Sequence, residues 1–242
     1  MLIDSPRLHE RDRETWRRLE RVDAIHARSP GLARHVLRSR SVLSAFLASA
    51  GSAYVGVSWG KDSVVVAHLA RRVAPDLPLV WLRSEPGHNP DCLAVRDAFL
   101  ADFPRHYHEI ITPRWRDERG WHSTGTMEAG FAEAERRFGP RHVSGVRATE
   151  STARLLRMAR WGESTARTCA PIGWWSAADV FAYLYTNGLP VHPAYAMSQG
   201  GTWDRERIRV ASLGEKHGRG MGRHEWERHY YRRELQAIGE FA

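Results

Sequence analysis

Short apolar runs alternate with helix-like stretches from residue 53 onward, and this order constrains the fold more than any other feature of the chain. The runs AYVGVSW, PLVWLRS and HYHEII are separated by DSVVVAHLARRV and NPDCLAVRDAFLADF. Such a strand–helix–strand order is typical of parallel strands joined by helical crossovers. Strands that are buried on both faces are nearly continuously apolar, as AYVGV and PLVWL are. These runs therefore predict a parallel sheet.

The same pattern continues beyond a polar loop at about 113–125. We expect a helix at about 127–138, then the strand HVSGVR, an arginine-rich helix, the short strand CAPIGW and the helix SAADVFAYLYTNG. The sequence thus predicts an α/β, Rossmann-like, doubly wound parallel sheet of about five strands with flanking helices. Ligands of such sheets bind beyond the carboxyl ends of the strands, where the strand order reverses.

Helical additions are predicted at both ends of the chain. Residues 6–28 carry apolar side chains at helical spacing amid dense charge: Leu8, Trp16, Leu19 and Val22. Further helices are expected over about 31–50 and 223–238. We divide the chain into an N-terminal helical segment (1–52), a nucleotide-binding α/β domain (53–196), and a C-terminal loop and helix (197–242) packed on that domain.

The charge of the chain is strongly skewed toward arginine. The formal net charge is +8, and 34 arginines stand against two lysines, Lys61 and Lys216. This composition fits either solvated helix faces in a protein from a GC-rich genome or a positive field that attracts a nucleotide or nucleic acid. Because arginine is the default cation here, Lys61 next to Gly60 indicates a specific need for a compact point charge.

The two cysteines, Cys92 and Cys169, are far apart and show no CxxC spacing. We therefore expect neither a zinc site nor an iron–sulfur cluster built from this chain, and we expect a reducing compartment. No segment approaches the roughly 18 to 20 apolar residues that span a bilayer, and charge from Asp4 onward argues against a signal peptide. A cytoplasmic location is predicted.

The segment Ser58-Trp59-Gly60-Lys61-Asp62-Ser63 follows the first predicted strand and opens the next helix. Glycine at position 60 lets the backbone approach a ligand closely, and the free amides and dipole of a helix N-terminus favour an anion. Two serine hydroxyls and the Lys61 ammonium group add donors and charge. We expect this segment to hold phosphate groups; the structural alternative is a tight turn with a solvated lysine.

This loop resembles the S-x-G-K-D-S loop of the PP-loop ATP pyrophosphatases, the adenine nucleotide α-hydrolase-like superfamily with a HUP-type fold. The resemblance is strongest to its branch of phosphoadenosine phosphosulfate (PAPS) reductases and small-subunit-type ATP sulfurylases. Three more blocks follow in the family's order: Arg83-Ser84-Glu85-Pro86-Gly87, Gly145-Val146-Arg147 with Glu150-Ser151, and PIGWWSAADVFAYLYTNGLPVHPAY. Together the four blocks cover about residues 53–196. A Walker A loop would need a longer glycine-spaced run before its lysine.

The resemblance implies a nucleotide site made of Ser58, Trp59, Gly60, Lys61, Asp62, Ser63, Glu85 and Gly145. Lys61, Asp62 and Arg147 would be catalytic, with Lys61 countering charge on a departing pyrophosphate. Asp62 would hold a Mg²⁺ ion that bridges the phosphates or, alternatively, cap the helix.

Two further sets of side chains have a functional and a structural interpretation. Glu85 would meet the ribose or adenine edge, or be a surface turn carboxylate. Arg147 and Arg154 would clamp a second anion, although Arg154 and Arg157 also suit a solvated helix face.

Large apolar residues in the last block are expected to be structural. We assign five to the core: Trp174, Trp175, Phe181, Tyr183 and Leu184. His192 and Tyr195 flank prolines in a stiff loop at the mouth of the site, and neither is predicted to be catalytic.

Three functional hypotheses remain open at this stage. In the first, ATP and Mg²⁺ are used to transfer the adenylyl group to an acceptor, in sulfur metabolism or nucleotide modification. This is our preference, because the resemblance implies that sulfonucleotide reductases commonly lack the Lys-Asp pair in the loop. The acceptor is open among sulfate, a nucleobase and a small carboxylate.

In the second, the chain is a PAPS or APS reductase, but the family's nucleophile lies in a Glu-Cys-Gly-type motif and no cysteine follows Cys169, which we expect to be a buried small hydrophobe. In the third, it is a nucleic-acid-binding or partner subunit of a modification or defence complex, through its N-terminal helix and the tail GEKHGRGMGRHEWERHYYRREL. Exposure of Trp16 or Trp226 would indicate an interface, as in a homo-oligomer.

Overall fold

The computed structural model describes residues 1–104, 106–118, 120–210, 212–215 and 222–240. The strands are β1 (Ala53–Val57), β2 (Leu79–Glu85), β3 (Tyr107–Pro113), β4 (Trp115–Asp117), β5 (Gly120–His122), β6 (Arg141–Val143) and β7 (Thr168–Cys169). The helices are α1 (Glu10–His26), α2 (Pro30–Ala48), α3 (Lys61–Val73), α4 (Asp91–Asp102), α5 (Thr126–Phe138), α6 (Thr152–Trp161), α7 (Ala177–Thr186), α8 (Arg223–Tyr230) and α9 (Arg232–Ala237).

Five strands form a parallel sheet in the order β3-β2-β1-β6-β7, as the sequence predicted. The chain builds one half outward from β1 through β2 to β3, and then crosses to the other side of β1 for β6 and β7. The strand order therefore reverses between β1 and β6, which opens a crevice at the carboxyl ends of these two strands. The loop that begins at Ser58 lies at this edge.

The later strands are shorter than the sequence indicates. The predicted strand HVSGVR covers residues 142–147, whereas β6 ends at Val143. The chain then turns toward the start of α3. Only Thr168–Cys169 pairs in the region of CAPIGW, since residues 170–175 form successive turns closed by bonds from Gly173 N to Ala170 O and from Trp175 N to Ile172 O.

Two other elements differ from the prediction. The polar loop at 113–125 contains the antiparallel pair β4 and β5, in which Trp115 stacks on His122 with ring centroids 4.3 Å apart. The single C-terminal helix is two helices, broken at Tyr231. The break turns the Tyr231 ring into the core, where its hydroxyl donates to Asp91 at 2.8 Å.

The N-terminal helices pack on the same hydrophobic cluster as the sheet. This cluster contains Leu8, Trp16 and Leu32 from the first segment together with Leu235 from the last. Val22 is exposed, contrary to the amphipathic pattern, because the buried face of α1 consists of Asp12, Trp16 and Asp23. The boundaries proposed at 52/53 and 196/197 stay a prediction.

Buried polar contacts join α1 to the C-terminal third. Asp23 and Arg205 form a two-point ion pair at 2.5 and 2.8 Å, and Asp12 accepts from the Tyr230 hydroxyl. Trp16 and Trp226 are both buried, so neither marks an interface. Residues 216–221 of the predicted glycine- and arginine-rich tail, including Lys216, lie outside the described residues.

Among the described residues, no helix is both long and apolar enough to cross a membrane. The cytoplasmic location stays a prediction.

Candidate active site

Trp59 and Gly60 shape the loop between β1 and α3. Trp59 has a positive φ of 59° and directs its ring into the core, where it lies 5.7 Å from Phe99 and 5.5 Å from Tyr107 between ring centroids. Of the residues predicted to bind nucleotide, Trp59 can therefore contribute only its backbone. Gly60 follows as the N-cap of α3.

The first turn of α3 has amide groups aimed at the crevice. The Lys61 amide donates to the Tyr195 hydroxyl at 3.0 Å, and the Val64 amide donates to Gly60 O at 3.0 Å. Within the described ranges, no protein group accepts from the amides of Asp62 and Ser63. Unpaired amides at a helix N-terminus form a ready site for an anion.

The two serines of the loop hold each other rather than pointing apart. The Ser63 hydroxyl donates to Gly60 O at 3.0 Å and accepts from the Ser58 amide at 3.2 Å. These bonds close the loop back on the helix, so the backbone at Gly60 is fixed. A fixed loop presents its donors without an ordering cost when a ligand binds.

Lys61, Asp62 and Arg147 form the charged centre of the site. The Asp62 carboxylate accepts from Lys61 Nζ at 2.9 Å and from Arg147 Nε at 2.6 Å. The Lys61 and Arg147 side chains are each 3% exposed and that of Asp62 is 17% exposed. The alternative of a solvated lysine is therefore wrong. Two almost buried cations share one carboxylate, which leaves a net positive charge that favours a further anion.

Asp62 does not cap its helix. The N-cap is Gly60, which makes no side-chain capping bond, and both Asp62 carboxylate oxygens engage the two cations. The helix-cap interpretation of Asp62 is therefore wrong. Its interpretation as a magnesium ligand stays a prediction.

Gly145 brings the end of β6 against the start of α3. A Cβ atom added at this position would lie 2.9 Å from the Asp62 carbonyl carbon and 3.0 Å from its oxygen. Only glycine permits this approach, which places Arg147 beside Asp62. The Arg147 guanidinium is also fixed by bonds to Thr149 Oγ1 at 2.9 Å and to Trp175 O at 3.3 Å.

Glu150 connects the centre to the next helix. Its carboxylate accepts from the Arg147 amide at 3.0 Å and pairs with the Arg154 guanidinium. Arg154 is thus neither a freely solvated side chain nor a direct neighbour of Asp62, since Glu150 lies between them.

Glu85 lies at the carboxyl end of β2, as predicted, but its ion pairs do not reach the loop. Its carboxylate pairs with Arg83 at 2.9 Å and His88 at 2.8 Å. The structure therefore brings Lys61, Asp62, Gly145 and Arg147 together and leaves Glu85 on the neighbouring strand end.

Tyr195, predicted to lie at the mouth of the site, contacts the phosphate loop directly, which the sequence did not predict. It is buried, its hydroxyl lies against Gly60, and the Lys61 ammonium lies 5.1 Å from its ring centroid. Burial and the nearby Asp62 carboxylate raise the pKa of Tyr195 well above its usual value, so the phenol stays protonated. Its place after two prolines in the final block was the available signal.

The large apolar residues predicted to be structural are mostly in the core. Trp175, Phe181, Tyr183 and Leu184 are buried as expected, whereas Trp174 is exposed. The turn after Gly173, which packs on Met158, leaves the Trp174 ring outside the core.

Both cysteines are buried, and neither is activated. Burial raises the pKa of the Cys169 thiol to about 12 and raises the pKa of Cys92 as well. Cys169 is therefore the buried small hydrophobe that the sequence predicted. A thiol must be deprotonated to act as a nucleophile, and these surroundings oppose deprotonation.

Part of this chain is similar in sequence to a curated enzyme. No family model matches the chain. A phosphoadenosine 5'-phosphosulfate reductase of Synechococcus is 26% identical over 159 residues, which are 58% of this chain and 68% of that protein. This similarity agrees with the resemblance of the loop Ser58–Ser63 to the PP-loop superfamily of adenine nucleotide α-hydrolases.

Several solved structures are similar to this protein at low identity. The PAPS reductase of Candida auris is 17% identical over 64% of this chain and 81% of its own, with a TM-score of 0.47. The FMN adenylyltransferase of Candida glabrata is 15% identical over 77% of this chain and 67% of its own, with a TM-score of 0.47. The NAD synthetase of Campylobacter jejuni is 15% identical over 65% of this chain and 74% of its own, with a TM-score of 0.45.

Proposed function

We propose that this protein is a PP-loop enzyme that binds ATP at the loop Ser58–Ser63 and cleaves it between the α- and β-phosphates. The observation that carries this proposal is the pair of nearly buried cations, Lys61 and Arg147, held by Asp62 at the N-terminus of α3. A polyphosphate has the charge to satisfy both cations and the free amides beside them.

The proposed reaction is adenylyl transfer. An oxygen of the acceptor forms a bond to the α-phosphorus, the bond from that phosphorus to the α–β bridging oxygen breaks, and pyrophosphate leaves with the electron pair. Lys61 counters the charge that develops on the leaving group, and Arg147 orients the phosphates. Glu85 contacts the ribose or adenine from the adjacent strand end, and Arg154 lies on the acceptor side.

Magnesium fits this site only as a companion of the nucleotide. Among the described residues, no group of three or more histidine, cysteine or carboxylate side chains could hold a metal ion. Mg²⁺ in nucleotide sites is held mainly by phosphate oxygens with one or two carboxylates, and Asp62 is the carboxylate available in the loop. When bound, the ion would neutralise phosphate charge.

A second candidate function is sulfonucleotide reduction, because the Synechococcus relative is a PAPS reductase. The buried thiols of Cys92 and Cys169, with their raised pKa values, favour the first proposal. Thiol-dependent release of sulfite from PAPS or APS, abolished by Cys169→Ser, would support reduction.

The test is incubation with α-labelled ATP and Mg²⁺ in the presence of sulfate, nucleobase or carboxylate acceptors. We expect AMP or an adenylylated acceptor together with pyrophosphate, and loss of nucleotide binding in Lys61→Ala. The matched control is Arg18→Ala, which removes an exposed cation of α1 and should change neither. Formation of ADP and phosphate, or binding of ATP by Lys61→Ala as tightly as by the parent, would refute the proposal.

A further inference from the structure

Helix α6 is attached to the rest of the protein by very little core. Met158 is its one buried residue, and it packs in a small cluster with Ala148 and Ala170. Leu156 is 64% exposed and Trp161 is 57% exposed. A helix with so little buried surface gains little stability from packing, so its exposed faces are candidates for recognition.

The exposed residues of α6 separate into two faces. With about 100° of rotation per residue, Arg154, Trp161, Arg157 and Arg160 fall within about 120° on one side of Met158. We name these four residues the basic stripe. Leu155, Leu156 and Ala159 fall on the other side. The helix carries three arginines and no carboxylate, so its charge is uniformly positive.

Two contacts orient the arginines of the basic stripe, and the resulting surface suits an anionic chain that carries aromatic groups. The Arg160 guanidinium lies 4.8 Å from the centroid of the exposed Trp161 ring, and Arg157 is steered by a bond to Thr168 Oγ1 at 2.9 Å. Arginines that bind phosphates, interleaved with an exposed aromatic ring on which a base can stack, are the pattern of single-strand binding surfaces.

The basic stripe starts at the candidate active site. Arg154 pairs with Glu150, which accepts from the Arg147 amide, and Arg147 contacts Asp62. From Arg154 to Trp161 the helix rises about 10 Å, at about 1.5 Å per residue. A strand that lies along the stripe therefore has one end beside the phosphate loop.

From this juxtaposition we propose that the basic stripe of α6 binds single-stranded nucleic acid and presents it to the loop as the acceptor. The acceptor assignment rests on the proposed function, whereas the binding does not. Charge complementarity favours this occupant over an apolar partner, because the stripe that leads to the site is cationic.

The experiment measures fluorescence anisotropy of labelled single-stranded DNA and RNA 20-mers with the full chain, without nucleotide. Three phosphate contacts predict that affinity falls by about 20-fold between 50 and 200 mM salt. Arg157→Ala/Arg160→Ala should weaken binding by at least about ten-fold and reduce that salt effect to about three-fold. Trp161→Ala should weaken binding to single strands by about ten-fold, through loss of a stacked base.

The matched control is Arg17→Ala/Arg18→Ala, which removes the same charge from the exposed face of α1. An equal loss of binding in this control would overturn the assignment to α6. Absence of salt-dependent binding by the parent protein would also overturn it and would favour a protein partner for α6. ATP cleavage measured in parallel separates the two proposals. If the parent protein cleaves ATP but does not bind the oligonucleotides, only the proposal for the basic stripe is refuted. If it binds the oligonucleotides but does not cleave ATP, only the proposed function is refuted.

Discussion

Replacement of Gly145 by alanine tests whether the close approach of β6 to α3 builds the site. The added Cβ would lie 2.9 Å from the Asp62 carbonyl carbon, 3.0 Å from its oxygen and 3.1 Å from its Cβ. Carbon atoms pack best at about 3.5–4.0 Å, so the two backbones must separate by roughly half an ångström. Because all three contacted atoms are main chain or adjacent to it, no side-chain rotation relieves the contact.

We expect Gly145→Ala to cost about 1–3 kcal/mol in the free energy of unfolding, as overpacking does. For a chain of this size, each kcal/mol lowers the melting temperature by roughly 2–4 °C. The separation also lengthens the 2.6 Å contact of Arg147 with Asp62, so nucleotide binding should fall more than stability does. Thermal unfolding followed by circular dichroism and titration with ATP measure the two effects.

The control is Gly31→Ala in the first turn of α2, where the new Cβ would meet only Ser29 Oγ at 3.9 Å. Alanine is a better helix former than glycine, so this variant should be unchanged or stabilised by up to about 1 kcal/mol. A Gly145→Ala protein that is as stable as the parent and binds ATP equally well would refute the argument from close approach.

Three other predictions follow from buried groups. Asp23→Asn leaves the buried Arg205 guanidinium without its charged partner and should cost about 3–5 kcal/mol in urea unfolding; an effect under about 1 kcal/mol would show that the pair is not buried in solution. Cys169→Ser should leave ATP cleavage intact, because the thiol is buried with its pKa raised to about 12; loss of cleavage in a folded variant would assign it a role. Burial lowers the pKa of His68 to about 4 and that of His192 to about 3, so only the unfolded chain gains these protons below its pKa of about 6.5. The free energy of unfolding should therefore fall by about 2.3 kcal/mol per pH unit on average between about pH 6 and 4 from these two groups, with a smaller slope in His68→Asn; equal slopes in both proteins would contradict the argument.

The parallel sheet could be predicted because its central strands are uninterrupted apolar runs. AYVGV and PLVWL are buried on both faces, and burial of this kind leaves a direct trace in composition. The outer strands were overestimated because their apolar residues serve other packing. Val146 lies against the small cluster around Met158 and not in the sheet.

The phosphate loop could be predicted because its donors lie within six consecutive residues, Ser58–Ser63. The contact of Tyr195 with this loop could not be predicted in the same way. The Tyr195 hydroxyl meets the Lys61 amide across 134 positions of sequence, and no local pattern encodes that contact. The β4 and β5 hairpin was missed for a related reason, since its short strands have little apolar alternation and Trp115 stacks on His122 at the surface.

The Tyr195 hydroxyl already accepts from the Lys61 amide, whereas the amides of Asp62 and Ser63 have no acceptor among the described residues. A phosphate oxygen that takes the Lys61 amide must displace the phenol from a buried position. At this one amide, the gain on binding is the difference between two competing acceptors and not the full strength of the new bond. A ligand can therefore take the Lys61 amide only if the turn Pro193–Tyr195 moves.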